Sequence, residues 1–234
     1  MFNIKKVAAA VTVALCAVPS FAAIVSNGSF ESATGVASRV TTNVTDWSSV
    51  AEFAFVANST TLGLGNNTSW GNFGAIDLLA ATTSPDGGNF IAIDADFLNN
   101  GALSTTLSGL TVGESYTLSF YQAVAKQSVA GNSGAVWSDW QVSVGGNVIG
   151  TSTQQTASTS NGFFSGWLLQ TMTFQATAAS ETLSFLAQGG PTGLPPFVLL
   201  DGVSVTATAV PEPTMLALVG LGLAGIGLSR RKRA

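Results

Sequence analysis

The chain of 234 residues has no histidine and one cysteine, Cys16. Cys16 lies in the apolar stretch at the start, so a body freed of that stretch has neither imidazole nor thiol. A disulfide framework, a thiolate nucleophile, a Cys/His zinc site and any triad built on imidazole are thereby excluded from it. Cations are nearly as scarce. Of the eight Lys and Arg, six are Lys5, Lys6, Arg230, Arg231, Lys232 and Arg233 at the two ends. Between Ala23 and Pro213 only Arg39 and Lys126 oppose twelve Asp and Glu, a net charge of −10. Such a surface repels phosphate backbones, so no nucleic-acid partner is expected.

What is present begins with two address-like termini. Lys5 and Lys6 precede the apolar run VAAAVTVALCAVPSF, and small residues come next at Ser20 and Ala22. That order predicts a helical signal peptide over residues 1–22, read by the Sec machinery and cut by signal peptidase near Ala23. At the other end, Met215 to Leu228 reads MLALVGLGLAGIGL and is followed by RRKR. As a helix this segment would run about 21 Å, short against a hydrocarbon core of roughly 30 Å. The cluster Arg230, Arg231, Lys232 and Arg233 would remain cytoplasmic and orient a brief tether whose body lies across the membrane. Pro211 and Pro213 favour an extended backbone around Glu212, which leaves that residue open to a processing enzyme.

The succession Val210-Pro211-Glu212-Pro213, apolar stretch and basic terminus resembles a PEP-CTERM sorting signal. The resemblance implies an exosortase partner, with Pro211, Glu212 and Pro213 as recognition residues. It also implies removal of the hydrophobic helix, and delivery of the body to the surface or extracellular matrix of a Gram-negative, exopolysaccharide-producing bacterium. Contact with the membrane would then be confined to the C-terminal helix before processing. The expected organisation is a signal peptide at 1–22, one domain at 23–209 and the sorting signal at 210–234.

Within the body the apolar period is two. YTLSFYQA places Tyr116, Leu118 and Phe120 on one face, ETLSFLAQ places Leu183, Phe185 and Ala187, and WQVSVGG places Trp140, Val142 and Val144. Turn signals interrupt at SPDGGN, LNNG, VGES, VGGN and SNGF. Many short strands with no helical stripe predict an all-β domain, an antiparallel β-sandwich of jelly-roll type. NGSFES at Asn27–Ser32, LSGLTVGESYTLSF at Leu107–Phe120 and VLLDGVSV at Val198–Val205 resemble jelly-roll carbohydrate-binding and galactose-binding-like modules.

That resemblance implies a structural Ca²⁺ between the acidic residues of the first and last motifs, here Glu31 and Asp201, both hard oxygen ligands. Asp201 draws notice independently, because it interrupts the apolar run FVLLDGVSV on the face expected to carry Leu199 and Val203. An anion there needs a partner or a cation. A sugar ring offers an apolar face rimmed by hydroxyls, so its site needs an aromatic platform and polar groups. AVWSDWQVSV supplies Trp137, Asp139 and Gln141 on the face opposite Trp140, and Tyr121 joins them if its strand is adjacent. For an enzyme only a carboxylate pair remains. Asp94 and Asp96 in FIAIDADF stand about 6.5–7 Å apart along one strand face, a spacing glycoside hydrolysis could use. A solvated face explains that pair better, since catalytic carboxylates tend to come from different elements, and the chain is expected to be non-enzymatic. Extracellular polysaccharide binding is the leading expectation, with a purely structural or adhesive matrix role and a glycan hydrolase as alternatives.

Overall fold

In the computed structural model, residues 23–33, 44–51, 53–58, 68–69, 75–76, 83–96, 101–126, 134–194 and 196–208 are described. The expected signal helix and sorting helix lie outside these residues. Among the described residues thirteen strands run in order: β1 (Trp47–Ser49), β2 (Ala54–Asn58), β3 (Thr68–Ser69), β4 (Ala75–Ile76), β5 (Asn89–Asp94), β6 (Ala102–Ser108), β7 (Ser115–Lys126), β8 (Val136–Val144), β9 (Asn147–Thr151), β10 (Gln155–Ala157), β11 (Leu168–Gln175), β12 (Ser180–Gly190) and β13 (Pro196–Ala207). One antiparallel sheet has six strands in the order β1-β6-β12-β8-β10, with β9 also on β8, and a second has five in the order β11-β7-β13-β5-β2. Among the described residues β3 and β4 pair with each other as a separate ribbon. No α-helix occurs among the described residues, and none of their helices is long and apolar enough to cross a membrane.

Successive long strands alternate between the two sheets, so their inward faces meet as one core. The alternations read from sequence supply it: Leu118 and Phe120 from β7, Trp140 and Val142 from β8, and Leu183 and Phe185 from β12 are all buried there. Phe185 lies edge-on to both Phe120 and Trp140, with ring centroids 5.1 and 5.8 Å away. Burying each such ring stabilises the fold by about 1.5–3 kcal/mol. Trp140 is buried completely, and its Nε1 donates to the Leu199 carbonyl at 3.3 Å, which ties the two sheets together. A second apolar cluster covers the outer side of the five-stranded sheet, where Phe55, Phe90, Phe197 and Leu199 meet Phe164 and Trp167 from the segment before β11.

A bulge in β13 corrects one sequence expectation. Asp201 pairs with Tyr121 but Ser204 pairs with Ser119, so Gly202 and Val203 together oppose Phe120. Gly202 takes φ +58°, a left-handed conformation that glycine adopts without a Cβ clash. The extra residue reverses the facing of the rest of the strand: Val203 and Val205 enter the main core, whereas Leu199 belongs to the outer cluster. Asp201 therefore shares a face with Leu199 and not with Val203.

Candidate functional site

Two places collect polar side chains with unmet chemistry. The first is the far end of β8 on the outer face of the six-stranded sheet. Because Trp140 and Val142 face the core, Trp137, Asp139 and Gln141 face outward. Among the described tryptophans Trp137 alone is exposed, at 38 %. Its indole lies against Gly190, its β12 partner, where a Cβ would come within 3.3 Å of Cε2, Cζ2 and Nε1. Glycine permits that close seating, and the indole is left with one side toward solvent.

Asp139 pairs with Gln188 and is buried beside this platform. Its Oδ2 accepts from Gln154 Nε2 at 3.4 Å, while its buried Oδ1 has no partner. Burial raises the carboxyl pKa above the ordinary aspartate value, and the Gln154 contact opposes that rise. Half-buried Gln141 stands one row further on, between Leu186 of β12 and Thr151 of β9. The arrangement offers an aromatic plate, an amide and a carboxylate acceptor, which suit a ring with an apolar face and hydroxyl edges.

Tyr121 does not belong to this patch. It lies on β7 in the five-stranded sheet, whereas β8 lies in the six-stranded one. The period of a strand fixes which way a side chain faces, not which strand lies beside it, and β7 and β8 are joined by a crossing between sheets. Tyr121 instead packs against the bulge, with its Cδ2 3.0 Å from where a Gly202 Cβ would stand.

The second place surrounds that bulge. In the loop before β1, Asn27 accepts from the Ser32 amide at 3.0 Å and donates to the Thr45 carbonyl at 3.0 Å. The Val203 amide donates to the Gly28 carbonyl at 3.0 Å, which docks this loop on β13. Glu31 then reaches the SPDGGN turn and accepts from the Asn89 amide at 2.7 Å. Asp201 is wholly buried beneath; its Oδ1 accepts from the Gly202 amide at 2.7 Å and its Oδ2 lacks a partner of normal geometry. Burial pushes its pKa up to about 7, Ser84 and Gly202 work against that rise as hydrogen-bond donors, and the charges of Asp86 and Glu31 add to it.

Glu31 and Asp201 are thus brought into one electrostatic neighbourhood. Ser84 and Asp86 join them from a stretch that the sequence marked only as a turn; the aspartate within SPDGGN was the available signal. Among the described residues no three acidic, His or Cys side chains gather at metal-ligand spacing. Asp201, hydrogen-bonded to Gly202 and Ser84 and near the charges of Asp86 and Glu31, is the most buried hard oxygen donor of this group.

Asp94 and Asp96 are both buried, not a solvated face. Asp94 Oδ1 accepts from the Asp96 amide at 2.9 Å, and Asp96 Oδ2 from the Gly193 amide at 2.8 Å. Their carboxylates organise the end of β5 and the turn after β12.

Residues 209–232 match the PEP-CTERM protein-sorting motif, which implies a secreted or cell-surface protein processed by exosortase. Pro211, Glu212 and Pro213, expected as recognition residues, fall within that match, and the basic run at 230–233 overlaps its end; all lie outside the described residues. No curated protein matches the chain. Among solved structures, the TmCBM61 domain in complex with β-1,4-galactotriose aligns at 12 % identity and TM-score 0.43, over 80 % of this chain and 100 % of that one. The K1 cleaved adhesin domain of Lys-gingipain from Porphyromonas gingivalis W83 aligns at 12 % and 0.44, over 77 % and 96 %. The CBM22-1 xylan-binding domain of Paenibacillus barcinonensis Xyn10C aligns at 14 % and 0.33, over 58 % and 82 %.

Proposed function

We propose that the body binds carbohydrate on the outer face of the six-stranded sheet, with Trp137 as the stacking platform and Asp139 and Gln141 as its polar contacts. It would act at the surface, or in the extracellular polysaccharide matrix, of a Gram-negative bacterium after exosortase has processed the tail. The observation that carries this reading is the exposed indole seated on Gly190 beside a carboxylate oxygen that has no partner. A binding role is favoured over a hydrolytic one because Asp94 and Asp96 accept hydrogen bonds from backbone amides.

The topology also lets tether and site work together. The Ser108 amide donates to the Ile24 carbonyl and the Thr208 amide to the Ser115 carbonyl, so the described chain enters and leaves at the Ser180 end of β12. Trp137 pairs with Gly190 at the opposite end, ten residues or about 33 Å away. A glycan at Trp137 leaves the exit toward the sorting signal clear.

We further propose a structural Ca²⁺ held by Glu31 and Asp201, supported by the complete burial of the Asp201 carboxyl and the acidic charges of Asp86 and Glu31 near it. Native affinity gels containing immobilised glycans test the main reading. The full-length protein should be retarded in at least one neutral glycan gel, and Trp137→Ala should abolish the retardation with its thermal midpoint within a few degrees of the parent. Failure of the parent to be retarded in any gel would refute glycan binding and leave the adhesive role.

A further inference from the structure

We infer that the ligand of this face is a neutral polysaccharide bound as an extended chain along the strands, an inference that rests on the glycan-binding reading and adds its charge class and length. The face continues far beyond Trp137. Along β8 the outward positions run from Trp137 to Ser143, six residues or about 20 Å. Ser143 pairs with Ser184, and Ser184 with Ser104, whose hydroxyl lies 2.8 Å from that of Ser184. Ser104 in turn pairs with Ser48 of β1, so one row of serines crosses four adjacent strands. The next row pairs Thr106 with Thr182, both exposed.

Here the surface is recessed. A hollow of about 360 Å³ is lined by Ser48, Ser104, Thr106 and Thr182 under the turn at Asp46. Thr182 lies eight residues from Gly190 on β12, about 27 Å along the sheet from the Trp137 platform. An indole at one end and a hydroxyl-lined hollow at the other, joined by Ser, Gln and Leu186 side chains, match several consecutive sugar units and exceed what one ring can touch.

Charge sets the class. Among the described residues no cation stands on this face. Lys126 is 1 % exposed, with its Nζ over the Phe163 ring at 4.9 Å and donating to the Gly134 carbonyl. Asp46 and Asp139 are the acidic groups at the hollow and the platform, on a body carrying twelve acids and two cations. A uronate or sulfated chain would meet repulsion with no arginine or lysine among the described residues of the face to receive it, whereas hydroxyls and amides exchange hydrogen bonds with neutral sugars.

The test is calorimetric titration of the full-length protein with neutral gluco-, xylo- and galacto-oligosaccharides of two to eight units, and with oligogalacturonides of matching length. For the neutral series it binds, affinity should rise at least about tenfold from the disaccharide to the octasaccharide, and the uronates should bind more weakly. The Ser104→Ala/Ser184→Ala double variant should lose most of that rise while its disaccharide affinity stays within about twofold of the parent. Trp137→Ala should weaken every length. Affinity that depends on Trp137 but not on length, a length dependence unchanged by the double variant, or a preference for uronates would overturn this inference and leave the glycan reading standing. Absence of binding to every oligosaccharide would overturn both.

Discussion

Asp201 gives the sharpest quantitative expectation. Its carboxyl is wholly buried and has a pKa of about 7 against 3.8 for an unstrained aspartate, so the fold holds the proton that the unfolded chain releases first. For a raised acid the stabilisation is complete below the unfolded pKa and disappears as pH climbs through the folded one. Between about pH 4 and pH 7 the metal-free protein should therefore lose stability. Roughly three pH units at 1.36 kcal/mol each set a ceiling of about 4 kcal/mol, or some 8–16 °C in thermal midpoint for a domain of this size. Scanning calorimetry in chelator from pH 4.5 to 7.5 reads the slope directly. Asp201→Asn, which keeps the shape and removes the titration, should flatten it. Added Ca²⁺ should restore the midpoint of the parent at pH 7.5 and do nothing for the variant. A flat profile for the parent in chelator, or an equal slope in the variant, would refute the burial argument. A parent indifferent to Ca²⁺ would remove the cation and leave the argument intact.

Single contacts set the other expectations. Gly190→Ala brings a methyl to 3.3 Å from the Trp137 indole and should weaken glycan retention by about 1 kcal/mol, near fivefold, in the same affinity gels. Gly202→Val forces a β-branched residue into φ +58° against Tyr121, and should cost about 2 kcal/mol, roughly 4–8 °C by differential scanning fluorimetry. Trp140→Ala empties the centre of the core and should cost about 3–5 kcal/mol in chemical denaturation. Truncation after Thr208 should change where the protein is found on cell fractionation but leave glycan affinity within about twofold, since the exit and Trp137 lie at opposite ends of β12.

Much of the architecture was legible because a strand with one buried face writes its facing into a two-residue period. Leu118, Phe120, Trp140, Val142, Leu183 and Phe185 all point where that period places them. The motif pair Asn27–Ser32 and Val198–Val205 likewise end up in contact, through the Val203 amide and the Gly28 carbonyl. Illegible were the facts that depend on which strand neighbours which. Tyr121 shares a face pattern with the Trp137 group but lies in the other sheet. Val203 left the face it was expected to share with Asp201 because one extra residue at Gly202 resets the alternation after it, and a single Asp-Gly in an apolar run does not announce a bulge. Asp86 entered the Asp201 cluster through tertiary packing of a turn that local sequence marks only as a turn.

The most direct test of the glycan-binding face is ¹⁵N NMR of the full-length protein titrated with the neutral oligosaccharide that binds best in the affinity gels. The account predicts saturable shifts of the Trp137 Nε1–H and of the Asp139 and Gln141 amides, extending toward Ser184 as the oligosaccharide lengthens. Shifts confined to Phe164 and Trp167 on the outer side of the five-stranded sheet, with Trp137 unmoved, would contradict it.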